Sequence, residues 1–232
     1  MNPIFVAIDE MGVFEARELV DDLRGVIGGV KIGPTFWFRH GHSAVRHVAA
    51  GYELFIDMKF YDIPNQIDGA MRAIVAYRPF FVTIHVPPPS PDQEDDDAMM
   101  LAAMKAVHVE ADRLTIRRPK ILGVTALTSI KMSPADILAR AYRAQRCGLD
   151  GVVCAASEAR LLRSELNADF LIVSPGIRPV GSPARDHRRV ATPSEAMEAG
   201  VNYMVIGEPI TLASNPRQAA MDILASIESA TV

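Results

Sequence analysis

The sequence predicts an α/β fold, a single (β/α)8 barrel with residues 1–232 as one domain. Three observations predict it. Short apolar, β-rich runs recur eight times. Longer segments with helical spacing lie between them. The chain has 232 residues, a length that an α/β barrel with few insertions fills as one unit. Strand and helix alternation of this kind implies a parallel sheet. A doubly wound open sheet is the alternative, but no Gly-x-Gly-x-x-Gly turn follows the first run, and no linker interrupts the pattern.

In chain order, the first run covers 4–8 and ends at Asp9, with a helix expected over 14–23. The second, 26–32, carries Lys31 near its end. The third, 54–58, leads into Asp57-Met58-Lys59-Phe60-Tyr61-Asp62-Ile63-Pro64-Asn65, with helical spacing over 70–77. The fourth, 80–86, ends on His85 and meets the Pro-rich acidic segment 87–97. There the prolines stop the strand and delay the helix, and the acids sit where a helix N-terminus favours negative charge. A solvated loop plus helix start is the expected reading, and an edge of the active site is the functional one. The fifth run, 121–127, reaches Thr125 and Thr128 before a helix at 134–146. The sixth, 151–155, contains Cys154, expected in the core, before a helix at 157–166. The seventh, 170–173, leads into Ser174-Pro175-Gly176-Ile177-Arg178-Pro179, and a helix is expected over 193–199. The eighth, 203–206, runs into Gly207-Glu208-Pro209-Ile210, with a last helix over 216–229.

Composition narrows the function. A net charge of -4 and a pI near 5.9 argue against a nucleic-acid partner, which requires a basic surface. The two cysteines, Cys147 and Cys154, are too few for a disulfide framework or zinc site, so a reducing cytoplasm is expected. No apolar run reaches the roughly 18 residues that span a membrane. The start, Met1-Asn2-Pro3-Ile4-Phe5, lacks the pattern of a secretory signal.

Chemistry concentrates at residues 57–62. Side chains alternate faces along a strand, so Asp57 and Lys59 are expected to project together from its end, with Asp62 in the turn that follows. Charged groups are seldom buried without partners, and an array of two acids and a lysine is costly to build for stability alone. Asp9, Lys31, Asp57 and Lys59 all fall at strand C-termini, the catalytic face of a barrel. His85 is expected to be a hydrogen-bonded structural residue. The loops after the seventh and eighth runs suit an anion, because such loops present backbone amides and frequently form a phosphate site.

Together these residues resemble the orotidine 5'-phosphate decarboxylase family over nearly the whole chain. The resemblance rests on Asp-x-Lys-x-x-Asp-Ile-Pro-Asn at 57–65. Val6-Ala7-Ile8-Asp9, Val30-Lys31-Ile32-Gly33, Val124-Thr125-Ala126-Leu127-Thr128-Ser129, Pro175-Gly176-Ile177-Arg178-Pro179 and Val205-Ile206-Gly207-x-Pro209-Ile210-Thr211 support it. It implies a barrel without cofactor or metal that forms a homodimer and acts on a pyrimidine nucleotide or nucleoside. It also implies roles: Lys59 protonates C6 after carbon dioxide leaves, Asp57 lies near the departing carboxylate, and Asp62 reaches in from the partner. Lys31 completes the array and, with Asp9, contacts the ribose, while Thr128 bonds the pyrimidine.

The departures from the family fall on substrate grip. Gln66 stands where the family usually has a threonine, His187 where it has a phosphate-gripping glutamine, and Glu208 where it has a phosphate-binding arginine. The segment 87–97 replaces a small Gly-rich turn. Catalytic candidates are therefore Lys31, Asp57, Lys59 and Asp62. Substrate-binding candidates are Asp9, Gln66, Thr128, Pro179, His187, Arg188, Gly207 and Glu208. A glutamate at 208 repels a phosphate, unless Arg185, Arg188 or Arg189 compensates. Decarboxylation of orotidine 5'-monophosphate is the leading reading. A paralogue acting on a non-phosphorylated nucleoside, a magnesium-dependent sugar-phosphate lyase or synthase, and a non-catalytic nucleotide-binding barrel stand as alternatives.

Overall fold

The structure, a computed structural model, describes residues 2–88, 93–127, 130, 132–179 and 191–229. Eight parallel strands close into a barrel in sequential order: β1 (Ile4–Ile8), β2 (Gly29–Ile32), β3 (Glu53–Phe60), β4 (Phe81–His85), β5 (Lys120–Val124), β6 (Gly151–Val153), β7 (Leu171–Pro175) and β8 (Tyr203–Ile206). The helices between and after them are α1 (Val13–Asp22), α2 (Pro34–Val48), α3 (Pro64–Val75), α4 (Gln93–Leu114), α5 (Pro134–Arg146), α6 (Ala156–Glu165), α7 (Pro193–Glu198), α8 (Glu208–Thr211) and α9 (Pro216–Ser229). The (β/α)8 expectation holds.

Local chemistry explains the helix starts. Pro34, Pro64, Pro134 and Pro193 lie in first turns, where the fixed φ of proline suits a helix and its missing N–H costs nothing. Ser133 and Thr192 cap α5 and α7 by accepting the N–H of Asp136 and Glu195. The segments read from the sequence omitted α2, α8 and all of α4 but its start. In α2, Gly41 at φ 73° kinks the helix, so the apolar period is broken half-way. The helix start expected within 87–97 is the beginning of α4.

The period of two along each strand sorts its residues into two layers. Val6, Ile8, Val30, Ile32, Ile56, Val82, Ile84, Val152, Ile172, Met204 and Ile206 face the helices. Phe5, Phe55, Phe81, Leu122, Val124, Val153, Val173 and Val205 fill the barrel. Phe5, Phe55, Phe80, Phe81 and Tyr203 form an aromatic plug with ring centroids from 4.4 to 6.2 Å apart. Each such ring, taken fully out of water, contributes about 1.5–3 kcal/mol. Gly29 makes room for it, because a Cβ there would lie 2.3 Å from the Phe5 ring and 2.4 Å from the Glu53 carbonyl oxygen. The plug fills the barrel below, and the polar C-terminal ends of the strands face the cavity above it.

Candidate active site

The site begins with an irregularity in β3. Ile56 pairs with Val82 and Phe60 with Ile84, so residues 57–59 stand opposite Thr83 alone. Lys59 absorbs the excess by adopting φ 51°, a left-handed conformation that is strained for any residue with a Cβ. The buried Thr83 hydroxyl accepts the Lys59 backbone N–H at 2.9 Å and donates to Asp57 Oδ1 at 2.9 Å. Simple alternation along the strand, expected from the sequence to align Asp57 with Lys59, is therefore not what joins them. A bulge pinned by Thr83 does so.

Asp57 is the hub. Its Oδ2 lies 2.8 Å from Lys59 Nζ and 3.7 Å from Lys31 Nζ, and Lys31 Nζ also lies 3.1 Å from Asp9 Oδ1. Lys31 is 8% exposed, so both its carboxylate partners offset the loss of hydration. Burial alone would push the Asp57 carboxyl upward; the charges of Lys31 and Lys59, with hydrogen bonds from Lys59 and Thr83, outweigh it and hold the group below the usual carboxylate range. Gly33 leaves room for this array, since a Cβ there would meet Asp9 Oδ1 at 3.1 Å and Lys31 Nζ at 3.5 Å.

Around the array opens a cavity of about 820 Å³, large enough for a nucleotide-sized ligand. Ala7, Phe55, Val124, Val153 and Val205 form its apolar floor, and Asp9, Lys31, Asp57, Lys59, Arg178, Gly207 and Glu208 contribute to its walls. Arg140 braces one side by donating to the carbonyl oxygens of Val86 and Thr125, 3.0 Å each. The described residues contain no cluster of three or more His, Cys, Asp or Glu that could hold a metal ion.

The other candidates divide. Glu208, beginning α8, accepts a hydrogen bond from Arg178 Nη2 at 2.8 Å, joining the loops after β7 and β8 at the rim. Asp62 is exposed, and its Oδ1 accepts the Ile63 N–H at 2.7 Å. Asp62, Gln66 and Pro179 are not among the described residues that line the cavity. Thr128, His187 and Arg188, with Arg185 and Arg189, lie outside the described residues. His85 corrects an expectation: among the described residues it makes no hydrogen bond, and its ring meets that of Tyr61 in a T-shaped contact with centroids 6.0 Å apart. Half-burial, then the nearby charges of Lys59 and Arg140, lower its pKa below the usual histidine range, against the pull of Asp57. Thr125 is buried and donates to the Val153 carbonyl oxygen, and Cys154 is core. Sequence reasoning missed two residues. Thr83 carried a faint signal as a hydroxyl inside an apolar run, and Arg178 stood in a quoted motif without a role of its own.

Residues 2–223 match the family model described as Orotidine 5'-phosphate decarboxylase / HUMPS family. The chain belongs to this family. An orotidine 5'-phosphate decarboxylase of Rhodospirillum rubrum is 43% identical over 97% of this chain and 94% of its own length. One from Moorella thermoacetica is 40% identical over 98% and 92%. The crystal structure of orotidine 5'-phosphate decarboxylase from Lactobacillus acidophilus superposes with a TM-score of 0.81 at 28% identity, covering 98% of this chain and 99% of that one. The decarboxylase family thus accounts for the full barrel, and the charge array lies at the barrel end where such folds place their chemistry. No helix among the described residues of this family member is long and apolar enough to cross a membrane.

Proposed function

We propose that this protein is a carboxy-lyase that converts orotidine 5'-monophosphate to uridine 5'-monophosphate, with Lys59 as the proton donor. The observation that carries this reading is the Asp57 carboxylate held between Lys59 at 2.8 Å and Lys31 at 3.7 Å above an apolar floor. Breaking the bond from C6 to the carboxylate leaves the electron pair on C6, where no attached ring group delocalises it well. A fixed cation in a water-poor site stabilises that charge. The Lys59 ammonium then passes a proton to C6, carbon dioxide departs, and the neutral amine regains its proton from solvent. Asp57 lies by the departing carboxylate and holds Lys59 in place through the short ion pair. Lys31 keeps Asp57 ionised and, with Asp9, faces the ribose.

A homodimer completes the site in this reading, with Asp62 contributed across the interface. Two observations support it. Asp62 is exposed and makes no described contact with the array of its own chain, and Tyr61 and Ile63 beside it are 61% and 64% exposed, an apolar flank in need of cover. Thr128, Gln66, Pro179, His187, Arg188 and Gly207 serve the base, ribose and phosphate ends of the substrate.

Loss of the orotate ultraviolet absorbance tests the reaction, measured without added metal on orotidine 5'-monophosphate and on orotidine. Turnover of the monophosphate supports the reading. Turnover of orotidine alone replaces it with a nucleoside decarboxylase, and silence on both overturns it.

A further inference from the structure

Helix α2 is two pieces, and Gly41 divides them. At φ 73° and ψ -173°, Gly41 adopts a backbone conformation that is essentially closed to residues with a Cβ. A Cβ there would meet nothing within 4 Å, so the glycine serves the backbone and not the packing. Each piece has its own anchors. Beyond Gly41, Ala44, Val45 and Val48 are buried, and Arg17 of α1 donates to the carbonyl oxygens of His47 and Ala50, 3.0 Å each. Before it, Phe36 is fully buried, and the His40 ring packs on the Phe36 ring with centroids 4.7 Å apart. The end of this first piece reaches the turn after β1. Arg39 Nη1 donates to the Glu10 carbonyl oxygen and His40 Nε2 to that of Met11, 3.2 Å each. A carbonyl oxygen only accepts, so His40 carries a proton on Nε2. The turn itself is poorly covered: Asp9, Glu10 and Gly12 are exposed. Yet it carries Asp9, the partner of Lys31 at 3.1 Å, and Glu10 and Met11 line the cavity.

We propose that Arg39 and His40, directed by the break at Gly41, are positioning residues that hold the turn after β1 and thereby set Asp9 against Lys31. Neither is among the described residues that line the cavity. They act through the backbone of Glu10 and Met11, the two residues that follow Asp9. A small displacement of a group that positions substrate is felt in the rate although its cause lies outside the site. The inference rests on the nucleotide reading, in which Asp9 and Lys31 face the ribose.

A mutant cycle against Asp9 tests it, read as kcat/KM on orotidine 5'-monophosphate and as calorimetric affinity for uridine 5'-monophosphate. Changes that act through one shared residue are non-additive, whereas independent changes add. His40→Ala and Gly41→Ala should each lower both quantities by about tenfold, the scale of one hydrogen bond. His40→Gln, whose amide still donates toward Met11, should recover most of that loss. In an Asp9→Ala background the same changes should cost nothing further. A merely structural role keeps its full cost in that background, so additivity would overturn the proposal, as would single variants that match the wild type. Trp37 is the only tryptophan of the chain and lies before the break, its ring 5.3 Å from that of His42 beyond it. Its emission therefore reports whether Gly41→Ala has moved the first piece. Thermal melts establish folding; should Gly41→Ala not fold, the His40→Ala and His40→Gln comparison decides. The two readings fail separately. A wild-type protein that leaves orotidine 5'-monophosphate intact but shows the cycle in uridine 5'-monophosphate affinity keeps the positioning role and loses the reaction. Turnover with an additive cycle does the reverse, and a protein that neither reacts nor binds loses both.

Discussion

The buried hydroxyl of Thr83 donates to Asp57 Oδ1 while accepting the backbone N–H of Lys59, both at 2.9 Å. One side chain on β4 thus holds both the carboxylate and the strained backbone of the bulge on β3. Thr83→Val keeps the shape and removes both hydrogen bonds. The Lys59 N–H and Asp57 Oδ1 then lose a buried partner, at a cost of about 1–3 kcal/mol in stability. The loss should appear in kcat more than in KM, because Thr83 positions the array and does not line the cavity. Urea unfolding and steady-state kinetics on the same preparation check both halves. A KM effect with kcat intact would contradict the positioning role.

In the proposed reaction Lys59 supplies the proton, and it also sits at φ 51°. Its two burdens separate in a pair of variants. Lys59→Ala and Lys59→Gly should both lose nearly all turnover, since neither carries a proton to C6. Glycine adopts a positive φ freely and alanine does not, so Lys59→Gly should be the more stable of the two by about 1 kcal/mol. Thermal melts of the two inactive proteins give the comparison, and a more stable alanine variant would deny that the bulge is strained.

The depressed Asp57 carboxyl makes the array sensitive to acid. In the folded protein this group binds its proton less readily than in the unfolded chain. Its contribution to stability is complete above the unfolded value of about 3.9 and is lost as the pH falls through the lower folded value. Asp57→Asn should cost about 3 kcal/mol at neutral pH, because Lys31 and Lys59 lose their shared partner, and should flatten the acid limb of the stability curve. His85 acts in a separate window. Its folded pKa lies below the usual histidine value, so the neutral ring is favoured, and stability falls as the pH drops from about 6.5 toward that lower value. Unfolding free energies measured from pH 7 to pH 3 resolve the two windows. A limb unchanged in Asp57→Asn would contradict the first assignment.

The legibility of this molecule in its sequence follows from where its information is local. Strands such as 4–8 and 203–206 were readable to the residue, because a run of apolar residues bounded by polar ones is a property of the strand itself. The candidate array was readable too, since Asp9, Lys31, Asp57 and Lys59 each end a recognisable run. The bulge was not, because it depends on how β3 registers against Thr83 of a different strand. Nor was the Arg178–Glu208 pair, whose members stand 30 residues apart, one after β7 and one at the start of α8. Glu208 read alone looked like a repulsive wall; beside Arg178 it is half of an ion pair. The kink at Gly41 hid α2 for a similar reason, since a helix that changes direction loses its single apolar stripe.

Asp62 supplies the sharpest test of assembly. Its carboxylate is exposed, directed onto the Ile63 N–H, and apart from the described array of its own chain. If it serves the partner's site, Lys59→Ala and Asp62→Ala each inactivate a different half of the same composite centre. A mixed dimer then contains one centre with both defects and one with neither. Random reassortment of equal amounts makes half the dimers mixed, so the mixture of two inactive proteins should recover about a quarter of wild-type activity in a symmetric twofold assembly. The measurement is turnover before and after the two variants are exchanged through mild denaturant, with each variant treated alone as the control. A mixture as inactive as its components, with exchange verified by a tag, would confine Asp62 to its own chain.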